Sequence, residues 1–262
     1  EKIAINAVMA GCRDDCLPVL VAAVKAMAEP RFNLLGIQGT TNPATPLVIV
    51  NGPIRPRIEL NCGRGALGPG RRANATIGRA LRLILLNIGG GVPGDVDQAQ
   101  LGMPGKFTMC FGELEEDSPW PPLHVDLGYP RMQSTVTLMG VQGTHSLRTT
   151  WLQPESILMA TADGMSAFAN NGYNRGSGQP LIVLSPGHAR LFHDAGWDKR
   201  RIREWLFEHT KIPLSRLPTE PSQARRRHRV LPGEDRICLC ESPDDIVIVV
   251  AGRSEEHTSE LQ

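Results

Sequence analysis

The sequence predicts an α/β fold: a mainly parallel or mixed sheet flanked by helices, with an N-terminal αα-hairpin. Three observations carry this. Short apolar runs such as Leu47-Val-Ile-Val50, Pro180-Leu-Ile-Val-Leu184 and Ile246–Val250 have the composition of strands covered on both faces. Amphipathic stretches of helical period alternate with them. Several loops follow strands directly, as they do in α/β chains. The chain has 262 residues, and residues 1–252 are read as a single α/β domain. Arg253-Ser-Glu-Glu-His-Thr-Ser-Glu-Leu-Gln262 matches the translation of a common sequencing adapter and is set aside as a non-native tail. With Glu1 already inside a helical pattern, both ends are expected to be cut, as in a gene fragment assembled from environmental DNA.

Each element follows from its residues. Lys2–Ala10 reads as a helix stopped by Gly11 in a left-handed cap. Asp14 or Asp15 starts a second helix, Leu17–Ala28, with Pro18 tolerated in its first turn and Pro30 ending it. The hairpin is largely apolar, so it is expected to be buried. Phe32–Gln38 reads as a strand, and Leu47–Val50 as a second one. Ile77, Leu81, Ile84 and Ile88 form a helical stripe after Asn74, which is read as the N-cap, and Gly89-Gly-Gly91 ends that helix. Phe107–Phe111 and Ser134–Val141 read as strands. Helices are expected at Ile157–Ala169, His188–Ala195 and Lys199–His209, and buried strands at 180–184 and 246–250.

Composition excludes some partners. The net charge is +1; without Arg253 and the three tail glutamates it is +3, from 27 basic and 24 acidic residues. That is too mild for nucleic acid. The run Arg225-Arg-Arg-His-Arg229 reads as a solvated loop. No apolar run reaches the roughly 18 residues of a membrane helix, so no membrane partner is expected and the default location is cytoplasmic. The six cysteines are read as reduced.

Two loops carry the candidate chemistry. Gly68-Pro-Gly-Arg-Arg-Ala73 runs into the stripe helix and aims backbone N–H groups, a helix dipole and two guanidinium groups at one place. Arg71, Arg72 and Asn74 are therefore candidate binders of a small anionic molecule, a carboxylate or a phosphate. The alternative is a glycine turn whose arginines pair with acidic residues. The phosphate-loop and dinucleotide patterns fit only in part, because Lys-Ser/Thr is replaced by Arg71-Arg72 and no acidic residue ends a following strand.

The second loop, Gly112–His124, crowds Glu113, Glu115, Glu116 and Asp117 beside Trp120 and His124. Crowded carboxylates raise one another's pKa, which suits acid–base work. Glu113, Glu116 and His124 are candidate catalytic residues, and Trp120 and His145 candidate substrate contacts; a solvated charge run is the alternative. Cys12, at a helix stop, is a candidate nucleophile. His188 opens a helix after a strand and is read as structural. No residue is assigned to a metal and no cofactor is identified, although Glu113, Glu116, His124 and His145 would suit a metal-dependent hydrolase or lyase.

Four runs together show a resemblance: Ile3-Ala-Ile-Asn-Ala-Val-Met-Ala-Gly-Cys12, Pro46-Leu-Val-Ile-Val-Asn-Gly-Pro53, Arg72-Ala-Asn-Ala-Thr-Ile-Gly-Arg-Ala-Leu81 and Ser118-Pro-Trp-Pro-Pro-Leu-His124. They resemble a poorly characterised bacterial family associated with UGSC-motif thioredoxin-like (seleno)proteins. The resemblance spans most of residues 1–252. It implies a cytoplasmic α/β protein linked to thiol or selenol redox chemistry, handling substrate for a thioredoxin-like or selenoprotein domain. It also points to Cys12, Asn74, Glu113, Glu116, Trp120 and His124. The family's Cys/Sec-Gly-Ser-Cys motif is not in this chain. The expectation is therefore an enzyme, or the substrate-handling domain of one, with both loops on one crevice. The alternative is a non-catalytic partner module.

Overall fold

The computed structural model describes residues 1–68, 70–147, 149, 151–167, 170–175, 178–217 and 230–253. The basic run 225–229 and all of the tail but Arg253 lie outside them. The chain forms two compact units, Glu1–Thr144 with the segment from Val250 on, and His145–Val249. Helices and a mixed parallel and antiparallel sheet make the fold α/β.

The first unit is built on a three-stranded sheet of order β2-β1-β3: β1 Thr45–Asn51, β2 Cys110–Gly112 and β3 Thr135–Val141. β1 runs parallel to β2 and antiparallel to β3, and all seven of its residues are buried. Alternation along a strand sends Val48 and Val50 to one face and Leu47, Ile49 and Asn51 to the other. Val48 and Val50 join a core with Cys110 of β2 and with Val136 and Leu138 of β3. Helices α2 (Leu17–Ala28) and α5 (Arg72–Asn87) fill that core from above with Val19, Leu20, Ala23, Ile77, Ala80 and Leu81. Gly78 lets α5 sit close, since a Cβ there would lie 2.5 Å from the Met109 amide nitrogen.

Helix α1 (Lys2–Ala10) packs on α5 and α2, completing the hairpin. Gly11, at φ 80°, stops it: Gly11 N–H donates to the Val8 carbonyl and Cys12 N–H to the Ala7 carbonyl. The hairpin is less buried than its composition predicts. Ile5, Val8 and Met9 are 50%, 76% and 61% exposed, leaving an apolar row on α1.

Three local expectations are corrected. Phe32–Gln38 is not a strand; Pro30–Phe32 is a 3-10 turn and α3 (Leu34–Gly39) a short helix. Asn33 in the left-handed conformation accepts from the Gly36 amide and starts α3, overriding the apolar pattern. The strand expected at Phe107–Phe111 begins only at Cys110, with Phe107 exposed beneath the Arg79 guanidinium at 4.0 Å. Arg71, not Asn74, is the N-cap of α5. Asn74 is 4% exposed and turned inward. Its side chain accepts from Asn61 N–H at 2.8 Å and donates to the Asn61 and Cys110 carbonyls at 3.0 and 3.2 Å.

The second unit contains α7 (Pro154–Met165), α8 (Asn171–Arg175), β4 (Leu181–Leu184), α9 (Pro186–Asp194), α10 (Lys199–His209), β5 (Ile212–Pro213), β6 (Arg236–Ile237) and, up to Val249, β7 (Val247–Val250). β4 neighbours β7, and β5 pairs with β6. Ile202 and Leu206 are the buried face of α10, and Trp205 stacks on His209 at 3.6 Å.

Gly78→Ala tests the packing of α5 on β2. Helix propensity alone would favour alanine. The close approach to Met109 reverses the sign, and urea denaturation should show a loss of about 1–3 kcal/mol.

Candidate functional site

The start of α5 borders a cleft of about 230 Å³ lined by Arg13, Cys16, Ile58, Glu59, Arg71, Arg72, Ala73 and Thr76. The inward Asn74 bonds hold the helix start against the turn at Asn61 and against β2. The first N–H groups of α5 have no acceptor within the helix, and no side chain among the described residues caps them. Arg72 Nε donates to the Gly11 carbonyl at 2.9 Å, tying the loop to the end of α1. Arg71 is exposed and makes no ion pair among the described residues. Arg13 is committed, with Glu59 at 2.7 Å and with Asp15.

Two thiols belong to this neighbourhood. Cys12 is half-buried; burial pushes its pKa up, against the opposing pull of the Thr76 hydroxyl and the Arg72 guanidinium. Burial, together with Cys12 and Asp15, pushes Cys16 up to about 11. Both are thiols near neutral pH. A nucleophilic Cys12 would need further help to ionise than this environment gives it.

The acidic loop is built around a different set of groups. Asn51, at the carboxyl end of β1, donates from Nδ2 to Glu113 Oε2 at 2.6 Å and to Glu115 Oε1 at 3.1 Å. Glu113 follows β2 and is fully buried; its Oε2 also accepts from Leu123 N–H at 2.8 Å. Glu115 Oε1 accepts from Gly52 N–H at 2.7 Å and pairs with Arg55 Nε at 3.0 Å. Arg55, from α4 (Ile54–Arg57), is 4% exposed and grips Glu116 through Nη1 and Nη2 at 3.1 and 2.9 Å. That grip holds the Glu116 pKa below its ordinary value. Glu116 is thus an ionised partner of Arg55, and its bidentate pairing disfavours the acid–base role expected of it.

His124 lies in α6 (Leu123–Asp126), fully buried. Its Nε2 faces the Arg131 carbonyl at 3.1 Å, and its Nδ1 lies 4.0 Å from Glu115 Oε1 without a hydrogen-bond partner among the described residues. Trp120 is buried, and its Nε1 also has no such partner.

The expectation of one shared crevice is corrected. The cleft lining includes Cys16, Ile58 and Ala73, which belong to the core on the Val48/Val50 face. Asn51 and Glu113 project from the other face, by alternation with Val50 and Gly112. No residue of 113–124 lines the cleft. Of the expected residues, the structure brings Arg71, Arg72 and Cys12 to the start of α5, with Asn74 beneath them. It brings Glu113, Glu116 and His124 to the strand ends. His145 begins the second unit, exposed, beside Gly164 of α7.

Comparison with family models, curated proteins and solved structures gave no match. The reading of both sites therefore rests on their geometry. Among the described residues, no group of three or more His, Cys, Asp or Glu could hold a metal ion, and no helix is long and apolar enough to cross a membrane.

Asn51, Arg55 and Glu115 were not singled out by sequence reasoning as site residues. Asn51 stood only inside the run Pro46–Pro53 that carries the resemblance, and the carboxylate nearest to Arg55 in the chain, Glu59, pairs with Arg13 instead. Arg55→Ala should cost about 3–5 kcal/mol in urea denaturation, because it strands the buried Glu115 charge. The depressed Glu116 pKa means its stabilisation is complete above the unfolded glutamate value and is lost as pH falls through the lower folded value. Glu116→Gln should flatten that acid limb in a stability–pH profile.

Proposed function

We propose that the protein binds a small anionic metabolite, a carboxylate or phosphate, at the start of α5. It does so as an enzyme or as the substrate-handling domain of one. The observation that carries this reading is the convergence of Arg13, Arg71 and Arg72 with the uncapped end of a sixteen-residue helix on one cleft. Backbone N–H groups of residues 72–74 and the helix dipole favour negative charge there. Arg71 supplies a guanidinium with no ion pair among the described residues, while Arg72 is anchored through Nε to Gly11. Glu59, held by Arg13, sets an acidic limit on one wall.

The thiol or selenol link stands beside this reading. Cys16 lines the cleft and Cys12 interacts with Arg72 and Thr76 at its edge. An anion bound here would lie against the Cys16 thiol, with Cys12 behind Arg72 and Thr76, within reach of a redox domain docking at that edge. The second reading is a non-catalytic module for a thioredoxin-like or selenoprotein domain. It is favoured by the apolar row Ile5, Val8 and Met9 on α1.

Thermal unfolding across a panel of phosphate, sulfate and small carboxylates at low ionic strength tests the first reading. At least one anion should raise the midpoint, and Arg71→Ala should weaken that response about tenfold, by loss of a charge-assisted contact. A parent protein that no anion stabilises removes the cleft as a binding site.

A further inference from the structure

The strand ends on the other face of the sheet hold polar atoms that the anion cleft does not use. Three of them lack a hydrogen-bond partner among the described residues: Asn51 Oδ1, His124 Nδ1 and Thr135 Oγ1. Asn51 and His124 are both 0% exposed, and the Thr135 hydroxyl oxygen is buried. They come from three elements, the end of β1, the start of β3 and α6, yet they are neighbours. Asn51 and Thr135 are register partners in the antiparallel pair, so their side chains share a face. Asn51 Nδ2 touches Glu115 Oε1, which lies 4.0 Å from His124 Nδ1.

Two of the hydrogen-bond roles follow from the contacts. Asn51 Nδ2 points at two carboxylates, which orients the amide and leaves Oδ1 as an acceptor. A ring nitrogen facing a carbonyl must donate, so His124 Nε2 carries the proton toward Arg131. In the neutral ring, Nδ1 is then a lone pair facing the Glu115 carboxylate. Glu115 Oε1, 4.0 Å from Nδ1, already accepts from Gly52 N–H, Asn51 Nδ2 and Arg55 Nε, so it lends the site negative charge rather than a further acceptor. The set is acceptor-rich, and Glu113 and Glu115 lie against it.

We propose that this cluster is a second binding site, a receptor for an ammonium group, as the free ion or as the head of a primary amine. Its donors go to His124 Nδ1, Asn51 Oδ1 and Thr135 Oγ1, and its charge is balanced by the Glu115 and Glu116 carboxylates, which share the single guanidinium of Arg55. A water molecule brings no charge, and a quaternary ammonium brings charge but no donors. The site is separate from the anion cleft and stands or falls independently of it.

The test titrates the full chain with ammonium chloride and with methylammonium chloride, against sodium chloride and tetramethylammonium chloride. Two readouts are taken: the thermal midpoint, and the His124 ring-nitrogen resonances in isotope-labelled protein. Ammonium or methylammonium should raise the midpoint and shift the Nδ1 resonance of an Nε2-protonated ring, while the two control salts do neither. A response to ammonium alone assigns the site to the free ion; a response to both assigns it to an amine head. Thr135→Val removes one acceptor without charge change and should weaken the ammonium response by about tenfold, with stability in sodium chloride unchanged or raised. His124→Phe should abolish it, and the parent titration decides the matter if that variant does not fold. The proposal is overturned if the Nδ1 resonance is indifferent to ammonium, or if all four salts act alike. A full ammonium response in Thr135→Val overturns it as well.

Discussion

The side chain of Asn74 is the joint on which the first unit depends. It is buried in the first turn of α5, where an asparagine normally gains nothing from helix propensity. What it gains is three fixed bonds: to Asn61 N–H, to the Asn61 carbonyl and to the Cys110 carbonyl. These satisfy backbone groups that would otherwise be stranded inside the protein, and each stranded group costs about 1–3 kcal/mol. They also place the helix start. Arg71 and Arg72, both exposed, stand at the same helix start and line the cleft.

The sheet then separates the chemistry. β1 is buried along its whole length, so both of its faces are committed. Val48 and Val50 serve the helices, and Asn51 at its end serves the carboxylate cluster on the opposite face. Arg55 crosses between them at the edge: its guanidinium reaches the Glu113 carbonyl, Glu115 and Glu116, while its Nη1 lies 3.7 Å from Cys62 Sγ. A buried guanidinium with two carboxylates is costly to desolvate and costly to break, which makes this corner rigid rather than strongly stabilising. Rigidity suits a site that must hold Asn51, Glu115 and His124 in fixed relation.

Much of this was legible in the residues, for local reasons. Gly11, Pro18, Pro30 and Gly89–Gly91 punctuate helices by steric rules that act over a few residues, and α1, α2 and α5 follow them closely. Leu47–Val50 has no polar residue to interrupt burial, and β1 is buried throughout. Phe32–Gln38 misled because its apolar spacing suits a strand, while a single Asn33 cap decided for helix. Glu113, His124, Arg71 and Arg72 were visible as candidates. Their division between two faces was not, because it depends on the pairing of β1 with β2 across about sixty residues of chain and on the alternation that follows. Asn51 and Arg55 were hidden for the same reason: their partners lie 58 to 64 residues away in sequence.

The measurement closest to the central claim follows the backbone amide resonances of the first unit while inorganic phosphate is added. An anion at the helix start should move Ala73 and Asn74 N–H first and furthest, with the Arg71 side chain following. Amide shifts confined to other parts of the chain, with Ala73 and Asn74 unmoved, would contradict an anion site at the start of α5.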